Sequence, residues 1–166
     1  EETKGTTDST LTLATLKDSS LEVAGGIAYD HAKVGDATAT EATILADGSL
    51  VVKLYYARTQ HTLTTVYDNG DANGTGTYFY GKSITLATKT NAGYTFSGNY
   101  TLSPTTTGAS INDNTFTMGT ADVTVTYVWI AKTIKITLDN QNATTPGSAE
   151  VFYKYNTDTY YSNNQA

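Results

Sequence analysis

Four oxygen-bearing side chains crowd into the loop that follows residue 67, namely Asp68, Asn69, Asp71 and Asn73. Ca²⁺ takes about six to eight oxygen ligands, and a short loop is one way to gather them. The spacing is not that of an EF-hand, and no Glu follows at the bidentate position. Asp, Asn and Gly are also the residues that tight hairpin loops use. The pattern therefore favours a plain turn, and we predict no metal site.

The chain has two histidines, His31 and His61, and no cysteine. A nucleophilic hydroxyl needs an adjacent base that a third group orients, and neither histidine has such a pattern near it. His61 is predicted to lie at the surface. Without a nucleophile–base pair, a metal-ligand cluster or a phosphate loop, we predict no catalytic residues, no cofactor and no enzymatic activity.

An intramolecular isopeptide bond would need a buried Lys, an Asn or Asp beside it, and a catalytic carboxylate. Lys53 or Lys82 together with Glu41 is the combination that this chain offers. A lysine on a strand is far more often exposed than buried. The sequence therefore leaves the cross-link as the less favoured alternative to ordinary surface lysines.

Tyrosine is abundant, with 13 residues in 166. Its ring offers an apolar face and its hydroxyl a hydrogen bond, a combination that suits sugars. Tyr78, Tyr80 and Tyr100 are the candidate ligand-binding residues, with Tyr78 and Tyr80 expected on one outward face of a short strand. The alternative is that the tyrosines simply pack across neighbouring strands.

The charge balance excludes some partners. The formal net charge is −6 and the isoelectric point is about 4.7, so binding to nucleic acid is not expected. No segment is apolar and long enough to span a bilayer, and no polybasic segment would attract an anionic membrane surface. We predict neither a nucleic-acid partner nor membrane insertion within this chain.

The chain repeats itself. Residues 61–70 resemble residues 132–141 at an offset of 71. At the same offset Val52, Leu54 and Tyr56 fall on Val123, Val125 and Tyr127, which keeps the same side chains facing inward. Similarity at a fixed spacing is typical of arrays of like modules, which more often provide reach and spacing than chemistry.

Alternating apolar and polar residues predict a mostly β fold. The clearest predicted strands are 50–56, 59–67, 93–102 and 123–130, and a further strand is predicted at 11–16. Residues 36–45 are read as either a short helix or an irregular crossover. The predicted core of the central module consists of Tyr94, Phe96, Phe116, Val123 and Val125.

Three short segments carry a family resemblance: Gly93–Gly98, Phe116–Met118 and Ala121–Val125. In this order they resemble the closing half of InlB B-repeat, Listeria–Bacteroides and mucin-binding (MucBP-like) modules. Residues 46–56 look like the last hairpin of the same superfamily. The resemblance implies tandem small β-grasp-like modules with at most a short helix each.

The family also implies a location and a role. Its modules are strung along secreted or wall-attached bacterial proteins that serve as adhesins, stalks or internalin-type surface factors. The absence of cysteine also fits a Gram-positive surface protein, since these often lack disulfides. They are generally not enzymes. Asn99 stands where the family usually has an aromatic residue, and Gly119 where Pro is common, so the packing of that corner is expected to differ.

The repeat divides the chain into a partial first module with an N-terminal extension (1–57), a complete second module (58–130) and a partial third module (131–166). Residues 1–26 do not match 59–87, so the first module is expected to lack its opening hairpin. The expected partners are neighbouring modules or like subunits, with glycan or mucin as an alternative. The partial modules are read either as truncation or as halves that join head to tail into a filament.

Overall fold

The computed structural model describes residues 6–139, 141–142, 144–145, 147, 150–156 and 160–161. The fold is mostly β, as predicted, and the only helical segments among these residues are short 3-10 turns. The strands are β1 (Thr10–Thr12), β2 (Ile27–Val34), β3 (Ala37–Ala39), β4 (Glu41–Thr43), β5 (Val52–Arg58), β6 (Gln60–Val66), β7 (Gly74–Phe79), β8 (Ser83–Thr85), β9 (Tyr94–Ser103), β10 (Ser110–Asn112), β11 (Thr115–Thr117), β12 (Val123–Ala131), β13 (Thr133–Thr137), β14 (Glu150–Lys154) and β15 (Tyr160–Tyr161).

The largest sheet has four strands in the order β7-β6-β12-β9. Its central strands β6 and β12 are parallel, with Leu63 opposite Val123 and Thr65 opposite Val125. The outer pairs are antiparallel. The first and last strands of this unit therefore lie side by side at its centre, which is the strand order of a β-grasp-like sheet.

A second, smaller sheet of β10, β11 and β8 accompanies the first. Buried apolar side chains from both sheets form one core cluster: Leu63, Leu86, Phe116, Met118, Val123, Val125 and Tyr127. The prediction that Phe116, Val123 and Val125 are core residues is confirmed. Phe96 is half-buried and packs at the edge of the cluster. Tyr94 is not part of it.

The N-terminal part of the chain contains the pair β1-β4 and the sheet β3-β2-β5. Residues 36–45 form two short strands, so the helix alternative was wrong; alternating Ala and β-branched Thr favour extended backbone there. The strand predicted at 11–16 is also shorter than expected. It ends at Thr12, because Leu13 begins a 3-10 turn that buries its side chain completely.

This N-terminal unit shares part of its arrangement with the unit that follows it. Leu13 donates its N–H to Thr40 O at 2.8 Å, and Leu86 donates to Asn114 O at the same distance. Both leucines are buried. β1 thus corresponds to β8.

The long antiparallel pairs also correspond. In one unit Tyr29 and Tyr56 lie opposite each other and meet edge to face, with centroids 6.1 Å apart. In the other, Phe96 and Trp129 do the same at 5.6 Å. A β-bulge follows this aromatic pair in both units. β2 and β5 are therefore the counterparts of β9 and β12.

The C-terminal strands form the sheet β13-β14-β15. All five residues of β13 are exposed, and Val151 on β14 is buried. β13 follows β12 as β6 follows β5, so β13 and β14 are the counterparts of β6 and β7. In the part of the chain that the structure describes, no helix has both the length and the apolar character needed to cross a membrane.

Candidate functional site

A single residue, Thr59, joins β5 of the N-terminal unit to β6 of the next unit. Its N–H donates to Gly26 O at 2.9 Å, and its carbonyl accepts from the N–H of Tyr80 at 2.9 Å. The ring of Tyr80 lies flat against Gly26, where a Cβ would stand 3.0 Å from the ring. Two hydrogen bonds and one close ring contact therefore fix how the second unit leaves the first.

The same joint occurs a second time. Lys132 is the single residue between β12 and β13. It donates its N–H to Gly93 O at 2.9 Å and accepts from the N–H of Tyr155 at 2.8 Å. The ring of Tyr155 lies directly against Gly93, whose backbone is left-handed at φ 79°. Tyr94, predicted as core, instead meets Tyr155 edge to face at 5.3 Å in this joint.

We call these two places the junctions: the first contains Gly26, Thr59 and Tyr80, and the second contains Gly93, Lys132 and Tyr155. Corresponding members are separated by 67, 73 and 75 residues. The predicted offset of 71 matches inward-facing residues of β5 to inward-facing residues of β12. It is two residues shorter than the offset between the linking residues Thr59 and Lys132. The structure therefore repeats a joint between units as well as the units themselves.

His61 lies in the first junction, so its predicted surface position was wrong. Its side chain is only 16% exposed. Nε2 lies within hydrogen-bonding distance of Gly25 O and 3.1 Å from Thr59 Oγ1, and Nδ1 is 3.9 Å from Asp122 Oδ1. Because a carbonyl only accepts, Nε2 carries the proton here and cannot act as a base toward the Thr59 hydroxyl. The Thr–His–Asp set thus pins the junction and does not form a catalytic triad.

The other histidine has a local role. The ring of His31 stacks on Tyr55 with centroids 4.6 Å apart and planes 4° from parallel. Its Nδ1 lies 2.8 Å from Asp30 Oδ2. Lys53, Lys82 and Glu41 are all exposed. The burial that isopeptide chemistry requires is therefore missing at these three positions.

The Asp- and Asn-rich loop is tied to the loop at residues 88–91. Asn69 Nδ2 donates to Thr90 O at 2.8 Å, and Asn91 Nδ2 donates to Asp68 O at 2.9 Å. Asp68 has a left-handed backbone at φ 50°, as tight loops often need. The loop is therefore a structural turn that is hydrogen-bonded to the loop at residues 88–91.

A lysine supplies the cation at this loop. Lys89 Nζ donates to Asp71 Oδ2 at 2.8 Å and stands 4.0 Å from the centroid of the Tyr67 ring. Hydrogen bonding from Lys89, and then from Asn69, holds the pKa of the Asp71 carboxyl below its usual value. Among the residues that the structure describes, no group of three or more His, Asp or Glu side chains could hold a metal ion.

The three tyrosines predicted to bind ligand lie in three different places. Tyr78 lies on β7 and Tyr80 directly follows its last residue. Both are half-buried and do not face outward as predicted, whereas Phe79 between them is 51% exposed. Tyr80 belongs to the first junction. Tyr100 packs against Phe96 and Tyr127 at 5.1 and 4.9 Å, and burial raises its pKa.

Tyr78 lines a groove of about 260 Å³ between β6, β7 and the segment around β8. Gly74 and Gly76 leave bare backbone there, and the hydroxyl ends of Tyr67 and Tyr78 rest against them. Thr65 and Thr85 add further hydroxyls, and no charged side chain is among the lining residues. The groove thus offers neutral hydroxyl groups over an apolar floor.

The fold and the repeated junctions define a mostly β repeat protein. Residues 61–133 match the family model of the divergent InlB B-repeat domain, and we call this segment the family repeat. The family indicates a repeat module of bacterial surface proteins, and such repeat domains are typically non-catalytic. Comparison with curated proteins and with solved structures gave no match.

Proposed function

We propose that this chain is a non-enzymatic spacer of an extracellular bacterial surface protein, a stalk segment that holds successive repeats in a fixed relation. The observation that supports this most strongly is the recurrence of the junction. The same two backbone hydrogen bonds and the same tyrosine-on-glycine contact occur at Thr59 and again at Lys132. A spacer needs every joint to be alike, because equal joints add up to a regular rod.

The physical argument rests on how little freedom each link has. A flexible linker is several residues long and rich in Gly and Ser. Here one residue connects two strands, and both its N–H and its carbonyl are hydrogen-bonded to flanking units. The Tyr80 ring blocks rotation on one side by its contact with Gly26. The first unit therefore cannot swing without breaking at least one of these contacts.

The absence of cysteine from the sequence allows a direct test with paired spin labels. Thr38→Cys in the N-terminal unit and Thr101→Cys in the next unit are both exposed positions. A fixed joint gives a narrow distance distribution in a pulsed electron-spin experiment, and Tyr80→Ala broadens it. The control pair, Thr75→Cys with Thr101→Cys, lies within one unit and stays narrow in both backgrounds. A broad distribution for the first pair in otherwise unchanged protein would rule out the spacer.

A second candidate function is binding of a glycan, supported by the groove at Tyr67 and Tyr78. No group in the described part of the chain hydrogen-bonds to either phenol hydroxyl, and the uncharged lining suits a neutral, hydroxyl-rich ligand. A glycan array screened with the folded chain tests it. Binding that is lost in Tyr78→Phe and in Gly76→Val, with the melting temperature little changed in Tyr78→Phe, would support this function, and a blank array would dismiss it.

A further inference from the structure

The four-stranded sheet of the family repeat has an open edge at β7. In the strand order β7-β6-β12-β9, β7 has a neighbour on one side only among the residues that the structure describes. β7 lies inside the family repeat, with β6 before it and β8 after it along the chain. The unpaired backbone groups of an edge strand can bind any strand that is able to lie beside it.

The direction of the backbone groups on β7 follows from a bond on the neighbouring strand. Thr62 lies opposite Thr77 and donates its N–H away from β7, to Asp122 Oδ1 at 2.7 Å. This pair therefore exchanges no backbone hydrogen bond, and Thr77 directs its own N–H and C=O outward. Groups two residues apart on a strand point the same way, so Thr75 and Phe79 also direct their backbone groups to the open edge.

β7 lacks the features that normally protect an edge strand. Natural edges often carry a charged side chain, a proline or a β-bulge that prevents pairing. β7 reads Gly-Thr-Gly-Thr-Tyr-Phe, and its pairing with β6 is regular. By contrast, β9 at the opposite edge has a β-bulge in its pairing with β12 and is followed by Pro104. In a chain of net charge −6, an uncharged strand is where two copies can meet with least repulsion.

We propose that β7 of one chain pairs antiparallel with β7 of a second copy, about a two-fold axis beside Thr77. The two Thr77 residues then exchange N–H···O bonds in both directions, and Thr75 lies opposite Phe79 of the second copy. The pairing joins two four-stranded sheets into one continuous sheet. The inference is independent of the spacer function, since it concerns a contact between molecules and not the joint between units.

The side chains of the two strands fit each other in this register. On the inner face Tyr78 lies opposite Gly76 of the second copy, which has no side chain to collide with the ring. On the outer face Phe79, which is 51% exposed, lies opposite the exposed Thr75 of the second copy. Cross-strand pairs of an aromatic and a β-branched residue are favourable. Each of these contacts occurs twice, because the axis relates the two copies.

The charges at the two ends of β7 favour the antiparallel direction. Asp68 lies in the loop before β7 and Lys82 comes after its end, and both are exposed and form no ion pair in the described part of the chain. Antiparallel strands bring the start of one beside the end of the other, so each Asp68 approaches Lys82 of the second copy. A parallel pair would bring the two acidic loops together. The edge and its complementary charges thus belong to the same segment, which is why the occupant is a second copy.

The contact closes on itself, because each copy uses the same edge. Sedimentation and light scattering of the full chain over a wide concentration range should show a monomer–dimer equilibrium that ends at twice the monomer mass. A monomer at every concentration would overturn the proposal, as would a mass that keeps rising beyond that of the dimer.

Two substitutions of Thr77 separate backbone pairing from side-chain contact. Thr77→Pro removes an N–H that points outward and leaves the hydrogen bonds to β6 in place. It should raise the dissociation constant of the dimer by about tenfold or more, while the circular dichroism spectrum stays unchanged. Thr77→Val keeps the N–H and the β-branched shape, so it is the matched control and should leave the constant nearly unchanged. A dimer that survives Thr77→Pro in full, or that weakens equally in both variants, would contradict pairing through this edge.

The two-fold axis also allows a test of the register with charges, at an exposed side chain that the fold does not need. Thr77→Lys and Thr77→Glu should each weaken self-association by about tenfold or more, because like charges then lie directly opposite each other. A mixture of these two variants should form a heterodimer at least as tightly as the wild type dimerises. The same pair of substitutions at Thr101, an exposed residue of β9, is the control and should leave the dimer unchanged. A mixture of the Thr77 variants that associates no better than either variant alone would refute the register.

Discussion

The ring of Tyr80 lies so close to Gly26 that a Cβ carbon built on this glycine would stand 3.0 Å from the ring. Gly26 has no left-handed backbone angle, so its size alone, and not its conformation, is what the contact requires. Tyr80 comes from the family repeat, and Gly26 comes from the unit before it. This contact therefore couples the stability of one unit to that of the next.

Gly26→Ala should lower the free energy of unfolding by about 1–3 kcal/mol, because the added methyl group overpacks a filled contact. Urea denaturation gives the value. In a Tyr80→Ala background the same glycine substitution should cost much less, since the ring is no longer there. Equal costs in the two backgrounds would show that the ring contact contributes nothing.

Phe116→Ala should destabilise the family repeat by about 3–5 kcal/mol, because its side chain is completely buried between the two sheets and the substitution leaves a cavity. Phe96→Ala, at the half-buried edge of the same cluster, should cost distinctly less, since water can fill the space. Thermal and urea unfolding of the two variants decide the order. A larger loss for Phe96 would mean that the core is centred elsewhere.

Stability should fall at alkaline pH through Tyr127. Burial, with smaller contributions from Tyr100 and Tyr67, raises the pKa of Tyr127 from 10.0 to about 12. The folded state thus keeps a proton that the unfolded chain loses near pH 10, so this contribution is complete below pH 10 and is lost as pH rises toward 12.

Replacement of Tyr127 separates its contribution to the pH dependence of stability from the contributions of the other tyrosines. Tyr127→Phe removes the hydrogen bond to Ala87 O, 2.6 Å long, which should cost about 1 kcal/mol at pH 8. Between pH 10 and 12 the free energy of unfolding should fall less steeply in the variant than in the wild type. The difference between the two slopes should be up to about 1.4 kcal/mol per pH unit. Parallel slopes in urea titrations across this window would contradict the assignment.

Calcium should not stabilise the loop at residues 68–73. The Lys89 ammonium group already pairs with the Asp71 carboxylate, so a divalent cation would have to displace it. Isothermal titration and melting curves with Ca²⁺ should show no saturable binding and no shift. Micromolar binding that disappears in Asp68→Ala/Asp71→Ala would mean that the loop is a cation site.

The sequence was sufficient to predict the β class, the strands of the repeat and most of its core. Apolar and polar residues alternate along 123–130, for example, which is the pattern of a strand with one buried face. It did not predict which face of β7 is buried. Tyr78, Phe79 and Tyr80 are all aromatic, so alternation there carries no information, and packing against the core and Gly26 decides the outcome.

One available signal was overlooked. Thr12-Leu13-Ala14-Thr15 recurs as Thr85-Leu86-Ala87-Thr88, 73 residues later, and it identifies β1 as the counterpart of β8. No sequence pattern, by contrast, predicted the junctions. Gly26 and Gly93 look like ordinary turn glycines, and only the position of a tyrosine from another unit shows why a side chain is excluded there.

The parallel pairing of β6 with β12 determines how the repeat would respond to tension. A pull along the array enters at Gln60, where β6 begins, and leaves at Ala131, where β12 ends. These points lie at opposite ends of one ladder, so the force shears the two strands past each other and loads their hydrogen bonds together. A hairpin peeled from its end would lose them one at a time. The repeat is thus strongest along the axis of the array, and on yielding it would release roughly 240 Å of chain at about 3.3 Å per residue.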